Sequence, residues 1–217
     1  MNFKFNVHEF YDKGYTIGFV PNELTKKCFD IINKTDWLDD GYYPNYAKWS
    51  VLPNSQNSID DYYEEIVRGR MSYGRSPIDI KNLANEFIDL DFFEPMKDVL
   101  VKKQHKEFRS IRNIKPYSFG LWNGQENLPW HNDFNDTTDF FILAYFNEYE
   151  TWDKSWGGQI HIGKKGEDDN IVEVGFHYPI SATFICVNNS NPLMHHKVSA
   201  CDPMRNRYTF AFRYVID

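Results

Sequence analysis

From residue 111 to the C-terminus the chain is a succession of short apolar and aromatic runs, each ended by Gly, Asn, Asp or Pro. The runs cover residues 117–122, 140–146, 159–162, 171–174, 182–187 and 208–215. Aromatic and β-branched residues in such runs suit a half-buried, pleated surface. Several short strands with turn residues between them specify a β-sandwich or barrel. The aromatic share of 18%, with 18 Phe and 14 Tyr, supports strands over a helical bundle.

The first half of the chain has a different texture. Residues 14–20 predict a short strand, and Pro21 stops it. Asn22 is placed to cap a helix that carries Leu24, Cys28, Ile31 and Ile32 at helical spacing. Residues 39–61 are polar and turn-rich and predict a loop with little regular structure. Further helices are predicted over 80–88 and 93–106, the second with Pro95 near its start. There is no internal repeat and no clear linker, so 217 residues read as a single domain over 1–217. The expected fold class is α+β, with a helix-rich support over 1–110 packed on a jelly-roll core over 111–217.

A net charge of −7 favours solubility and argues against a broad nucleic-acid footprint. The three cysteines, Cys28, Cys186 and Cys201, are far apart and match no Cys-x-x-Cys spacing. A disulfide framework is therefore not expected, and a cytoplasmic location is. The first ten residues, with Lys4, His8 and Glu9, do not form a signal peptide, and no apolar run reaches membrane-spanning length.

Chemistry concentrates in two places. In Pro129-Trp130-His131-Asn132-Asp133 an imidazole and a carboxylate sit at i and i+2, which on an extended segment share a face. One His-x-Asp alone is a weak signal. A second site follows at His195-His196, of which an extended segment turns only one inward. Two imidazoles and one carboxylate leave one face of an octahedral ferrous ion open. A zinc hydrolase would more often use helical His-Glu-x-x-His or extra cysteine ligands, and neither occurs.

Six elements then fall in a telling order: Trp130-His131-Asn132-Asp133, Leu143-Ala144-Tyr145-Phe146-Asn147, Trp156-Gly157-Gly158-Gln159-Ile160, Thr183-Phe184 with Asn188-Asn189, His196-Lys197-Val198, and Arg207-Tyr208-Thr209-Phe210-Ala211-Phe212. Together they make the second half of the chain resemble the Fe(II)/2-oxoglutarate-dependent dioxygenases, in particular the prolyl 4-hydroxylase-like branch. The resemblance implies a double-stranded β-helix (jelly-roll) core. It also implies Fe(II), with 2-oxoglutarate and O2 as co-substrates and ascorbate as a possible reductant. The implied reaction is hydroxylation of a peptidyl (prolyl-like) or small-molecule substrate, with release of succinate and CO2.

Carried over residue by residue, the resemblance makes His131, Asp133 and the distal histidine the iron ligands. His-Lys-Val matches the family's His-x-Val and favours His196, with His195 as the alternative. Arg207 would grip the distal carboxylate of 2-oxoglutarate, because a guanidinium pairs bidentately with a carboxylate and keeps its charge. Tyr145 would support the same carboxylate. The spacing from His196 to Arg207 is longer than is commonest in the family, implying a small insertion around Cys201-Asp202-Pro203 and leaving Arg205 as the alternative to Arg207.

Trp122, Trp130 and Trp156 are candidates for a substrate-facing wall, against a plain anchoring role. His161 reads as a strand histidine on an exposed face. The basic stretch over 102–115 reads as a solvated face, and residues 68–77 as a loop. Two competing readings of the whole chain are a non-catalytic jelly-roll binding module and a cupin-like metal-dependent isomerase or hydrolase.

Overall fold

The computed structural model describes residues 7–33, 47–51, 77–89, 111–122, 127–132, 138–147, 151–202 and 204–216; residues 7, 47–51, 77–81 and 112–122 are described by their backbone. The elements are α1 (Val7–Asp12), β1 (Tyr15–Phe19), α2 (Asn22–Asn33), β2 (Ala47–Val51), α3 (Pro77–Ile88), β3 (Ile111–Trp122) and β4 (Leu128–His131). They continue with β5 (Phe140–Phe146), a 3-10 turn (Lys154–Trp156), β6 (Ile160–Lys165), β7 (Ile171–His177), β8 (Thr183–Asn188), β9 (Met194–Val198) and β10 (Arg207–Ile216).

The strands form two antiparallel sheets. One has the order β1-β8-β5-β10-β3-β2, and the other the order β4-β9-β6-β7. Neighbours in space are distant in sequence, as in a jelly roll, and the class is the expected α+β. Strand β5 shows how the layers arise. Phe140, Ile142, Ala144 and Phe146 join one apolar cluster, while Phe141 and Tyr145 join another. Period-2 alternation thus gives the strand two buried faces, one toward the helices and one toward the opposite sheet.

The helix-facing cluster takes Leu24, Cys28, Ile31 and Ile32 from α2, the residues expected to form its apolar stripe. From α3 it takes Leu83, Ala84, Phe87 and Ile88. The Phe87 ring lies 5.2 Å from Phe212 and 6.2 Å from Phe184. Tyr214 anchors the same helix by donating its hydroxyl hydrogen to the Ala84 carbonyl at 2.9 Å. No helix among the described residues is long and apolar enough to cross a membrane.

Three expectations need revision. Residues 39–61 contain β2, which pairs with β3 from Ala47↔Trp122 to Val51↔Ser118; edge pairing overrode a turn-rich composition. The expected helix 80–88 begins earlier, at Pro77, a residue suited to a first helical turn because it has no N–H to leave unpaired. Strand β3 runs from Ile111, through Pro116, rather than from 117. Its pairing with β10 shifts between Ala211↔Ser118 and Arg213↔Ile114, so the irregularity brackets a residue that cannot donate to the ladder. The helix expected over 93–106 and the loop over 68–77 fall outside the described residues, apart from residue 77.

Candidate metal and co-substrate site

The polar site lies between the sheets. His131, at the end of β4, is in direct register with His196 of β9. Directly opposed residues of an antiparallel pair present their side chains on one face, and these two ring centroids are 4.1 Å apart. His131 Nδ1 lies 2.8 Å from the Pro129 carbonyl oxygen. Donation of an Nδ1–H to that oxygen leaves Nε2 with its lone pair, the tautomer a metal ligand needs. His196 is buried at 7% exposure and lies 5.1 Å from the Phe141 ring.

Strand β9 separates the paired histidines as alternation requires: Met194, His196 and Val198 are buried, whereas His195 and Lys197 are only partly so. His195 is in register with Gly163 and directs Nδ1 toward the Leu193 carbonyl at 3.0 Å. It therefore sits on the opposite face from the His131–His196 pair. Asp133 lies outside the described residues. Among the described residues no three His, Cys, Asp or Glu side chains gather in a way that could hold a metal. A carboxylate two residues beyond His131 would be the third donor of a ferrous-type set, with imidazoles as the other two.

The candidate co-substrate part is built on β10 and β5. Arg207, the first residue of β10, is 3% exposed, and Tyr145 is fully buried. The Arg207 Nη2 donates to the Tyr145 hydroxyl at 3.5 Å, and the guanidinium carbon stands 4.9 Å from the centre of the phenol ring. Among the described residues no carboxylate pairs with Arg207, and its Nε is buried without a hydrogen-bond partner. A buried cation left in this state is costly unless an anion joins it. Burial, only partly opposed by Arg207, pushes the Tyr145 phenol up to about 12. The phenol therefore keeps its proton. It accepts from Arg207 and retains an O–H to donate, so both residues offer donors to the same anion.

Gly158 makes room for this arginine. Its φ is +71°, and a Cβ there would lie 3.1 Å from Arg207 Cδ and 3.2 Å from Cys201 Sγ. At Gly157, with φ +70°, a Cβ would run into the Ala200 carbonyl oxygen, and this glycine forms an isolated bridge with Cys201. The Gly157-Gly158 pair thus brings the chain against the 200–201 segment and the stem of Arg207. Cys201 is buried there, and burial raises its thiol to about 11, which keeps it protonated and inert. All three cysteines are free and buried.

The remaining candidates stand as follows. Arg205 stacks on Trp156 at 4.4 Å and has Asp202 3.9 Å from its Nε. Trp156 packs edge-on against Trp152, whose indole donates to the Gly157 carbonyl. Trp130 covers Gly163 and stacks with Lys197 at 4.8 Å, the strand face opposite to His131. Trp122 pairs by its backbone with Arg207. His161 is on the outer face as expected, 2.8 Å from Glu173.

One residue was not foreseen. His177 is buried beside Tyr145, with ring centroids 5.6 Å apart, and its Nε2 is 2.9 Å from the Thr183 hydroxyl. The strand expected over 171–174 stops three residues short of it, so its inward parity could not be read.

No protein-family model and no curated protein matches this chain. Solved structures do. An oxidoreductase of the 2OG-Fe(II) oxygenase family from Burkholderia pseudomallei matches with a TM-score of 0.58 and 9% identity, over 96% of this chain and 87% of that one. A prolyl hydroxylase from Trichoplax adhaerens, in complex with a hypoxia inducible factor oxygen degradation domain peptide fragment, matches with a TM-score of 0.52 and 12% identity, over 97% and 87%. A prolyl 4-hydroxylase from Phytophthora capsici gives 0.53 and 13%, over 96% of this chain and 60% of that one. At these identities the likeness is one of fold: this chain has the jelly-roll architecture of the 2OG-Fe(II) oxygenases, prolyl hydroxylases among them.

Proposed function

We propose that the protein is an Fe(II)- and 2-oxoglutarate-dependent dioxygenase that hydroxylates a peptidyl (prolyl-like) or small-molecule substrate. The observation that carries this reading is the Arg207–Tyr145 pair. It is a buried cation beside a protonated phenol, set between the same two sheets as the His131–His196 pair. A pure binding module on this fold has no need of the paired imidazoles and the buried guanidinium together. A cupin-like isomerase or hydrolase would leave Arg207 without a task.

In this reading His131, His196 and Asp133 hold the ferrous ion, and Arg207 and Tyr145 orient 2-oxoglutarate through its distal carboxylate. The bound ferrous ion supplies the O2 activation that couples succinate and CO2 formation to substrate oxidation. The apolar walls from Phe141, Ile162, Ile185 and Val187 keep the interior poor in water, which strengthens the charge-assisted hydrogen bonds from Arg207. A peptidyl substrate is favoured by the Trichoplax adhaerens neighbour, whose structure holds a peptide. Ascorbate is the expected reductant in vitro.

The test is turnover of 2-oxoglutarate to succinate by the purified protein with Fe(II), ascorbate and O2, with and without candidate peptides. Succinate formation that requires both Fe(II) and O2, and is lost in Arg207→Ala, supports the reading. Tightly bound zinc with no O2 consumption and no 2-oxoglutarate affinity contradicts it.

A further inference from the structure

Behind the Arg207–Tyr145 pair runs a buried polar chain that the proposed reaction does not use. Thr183 is 2% exposed and in direct register with Tyr145 across β5 and β8. Its hydroxyl donates to the Ile180 carbonyl at 2.6 Å. A hydroxyl has one hydrogen, so with that hydrogen committed the 2.9 Å contact with His177 Nε2 requires the imidazole to be the donor. The network thereby assigns His177 its Nε2–H tautomer and fixes the plane of its ring.

His177 also joins the two layers. It ends β7 on the four-stranded sheet, in register with Ile160 of β6. Its hydrogen bond goes to β8 of the other sheet, and its ring meets Tyr145 of β5 at 5.6 Å with an interplanar angle of 53°. Tyr145 is in turn flanked in its own sheet by Thr183 and Thr209, which fix its backbone but not its χ angles. The ring is held on one side by the Arg207 guanidinium and approached on another by His177.

We propose that His177 is a positioning residue for the co-substrate carboxylate: pinned by Thr183, its ring sets the Tyr145 ring, and through it the angle at which the phenol O–H and the Arg207 guanidinium converge on one carboxylate. This rests on the reading of Arg207 and Tyr145 given above. His177 touches neither the carboxylate nor the metal in this account and acts through Tyr145. The burial that keeps the imidazole uncharged is consistent with that role, because an imidazolium there would face Arg207 at close quarters.

The experiment is a double-mutant cycle on 2-oxoglutarate affinity, measured anaerobically with Mn(II) in place of iron, alongside KM and kcat of the iron enzyme. His177→Phe keeps a ring but loses the donor; His177→Gln keeps a donor for Thr183 but loses the ring. Each is expected to weaken 2-oxoglutarate binding roughly five- to tenfold, as for coupled neighbours in one network. KM for 2-oxoglutarate should rise correspondingly, with kcat at saturation and Mn(II) affinity within about twofold. In a Tyr145→Phe background the His177 substitutions should cost clearly less than in the wild type, because the ring remains but the hydroxyl it aims at the carboxylate is gone.

Two outcomes overturn the inference: unchanged 2-oxoglutarate affinity in both His177 variants, or a loss of the same size with and without the Tyr145 hydroxyl. Wild-type protein that binds no 2-oxoglutarate overturns the functional reading itself and this inference with it. The two failures are thus told apart by the wild-type control.

Discussion

His131 and His196 stand directly opposite one another on adjacent antiparallel strands, their ring centroids 4.1 Å apart, while His195 one residue away is turned to the other face of the sheet. A single strand's alternation therefore divides two adjacent histidines between opposite faces of the sheet. Replacing His131 or His196 with Ala should weaken Mn(II) or Fe(II) binding by about a hundredfold or more, since a lost ligand costs at least as much as a lost supporting hydrogen bond. His195→Ala should stay within about twofold. Mn(II) titration followed by electron paramagnetic resonance checks all three, and equal losses from His195 and His196 would remove the strand-face argument.

The two arginines make a second contrast. Arg207 is buried against Tyr145, whereas Arg205 stacks on Trp156 about one-third exposed. Arg207→Ala should lower 2-oxoglutarate affinity by about a hundredfold, the usual scale for removing one partner of a buried charge pair. Arg207→Lys should recover only part of this, because an ammonium lacks the bidentate fork. Arg205→Ala should leave the affinity nearly unchanged. Calorimetric titration with 2-oxoglutarate decides between them.

Gly158 brings its backbone close against the arginine. Its φ of +71° and the 3.1 Å approach of a Cβ to Arg207 Cδ make Gly158→Ala strained twice over, in conformation and in contact. The left-handed conformation alone costs an L-residue about 1–2 kcal/mol. Urea unfolding should show at least that loss, together with a raised KM for 2-oxoglutarate as the arginine stem shifts. A Gly158→Ala variant of native stability and KM would show that this approach is not needed.

His177 predicts a pH dependence of stability. Burial first, and Arg207 second, lower it from 6.5 to about 4 in the folded protein. Between those values the unfolded chain binds the proton and the folded chain does not, so stability falls as pH drops from about 6.5 toward 4; above 6.5 both states are neutral and the effect is absent. The full shift corresponds to about 3 kcal/mol as an order of magnitude. Urea midpoints at pH 7 and pH 5 should differ more for the wild type than for His177→Phe, in which this slope is removed. Identical pH slopes would mean that His177 titrates normally in the fold.

Much of this was legible in the sequence, for identifiable reasons. In strand β10 the alternation legible in the sequence sets Tyr208, Phe210, Phe212 and Tyr214 on one face and Arg207 and Thr209 on the other, and the structure packs the aromatic set into the helix-facing cluster. The α2 stripe and the opposite facing of His195 and His196 follow from the same periodicities, whereas the preference for His196 came from the resemblance of His-Lys-Val to the family's His-x-Val. What pattern alone could not supply was pairing. β2 owes its extended form to the edge of β3, not to its own polar, turn-rich sequence. His177 gained its place from a strand that runs on to pair His177 with Ile160, beyond the apolar residues that announce it. Trp130 shares a motif with His131 but, one residue away on a strand, faces the other side.

The proposed iron and 2-oxoglutarate site is tested most directly by anaerobic addition of Fe(II) and 2-oxoglutarate to the purified protein, followed by visible absorption. A weak metal-to-ligand charge-transfer band is expected that is absent without 2-oxoglutarate and is lost in Asp133→Ala and His196→Ala. A wild-type protein that develops no such band, or an Asp133→Ala variant that keeps it unaltered, would contradict the assignment of this site.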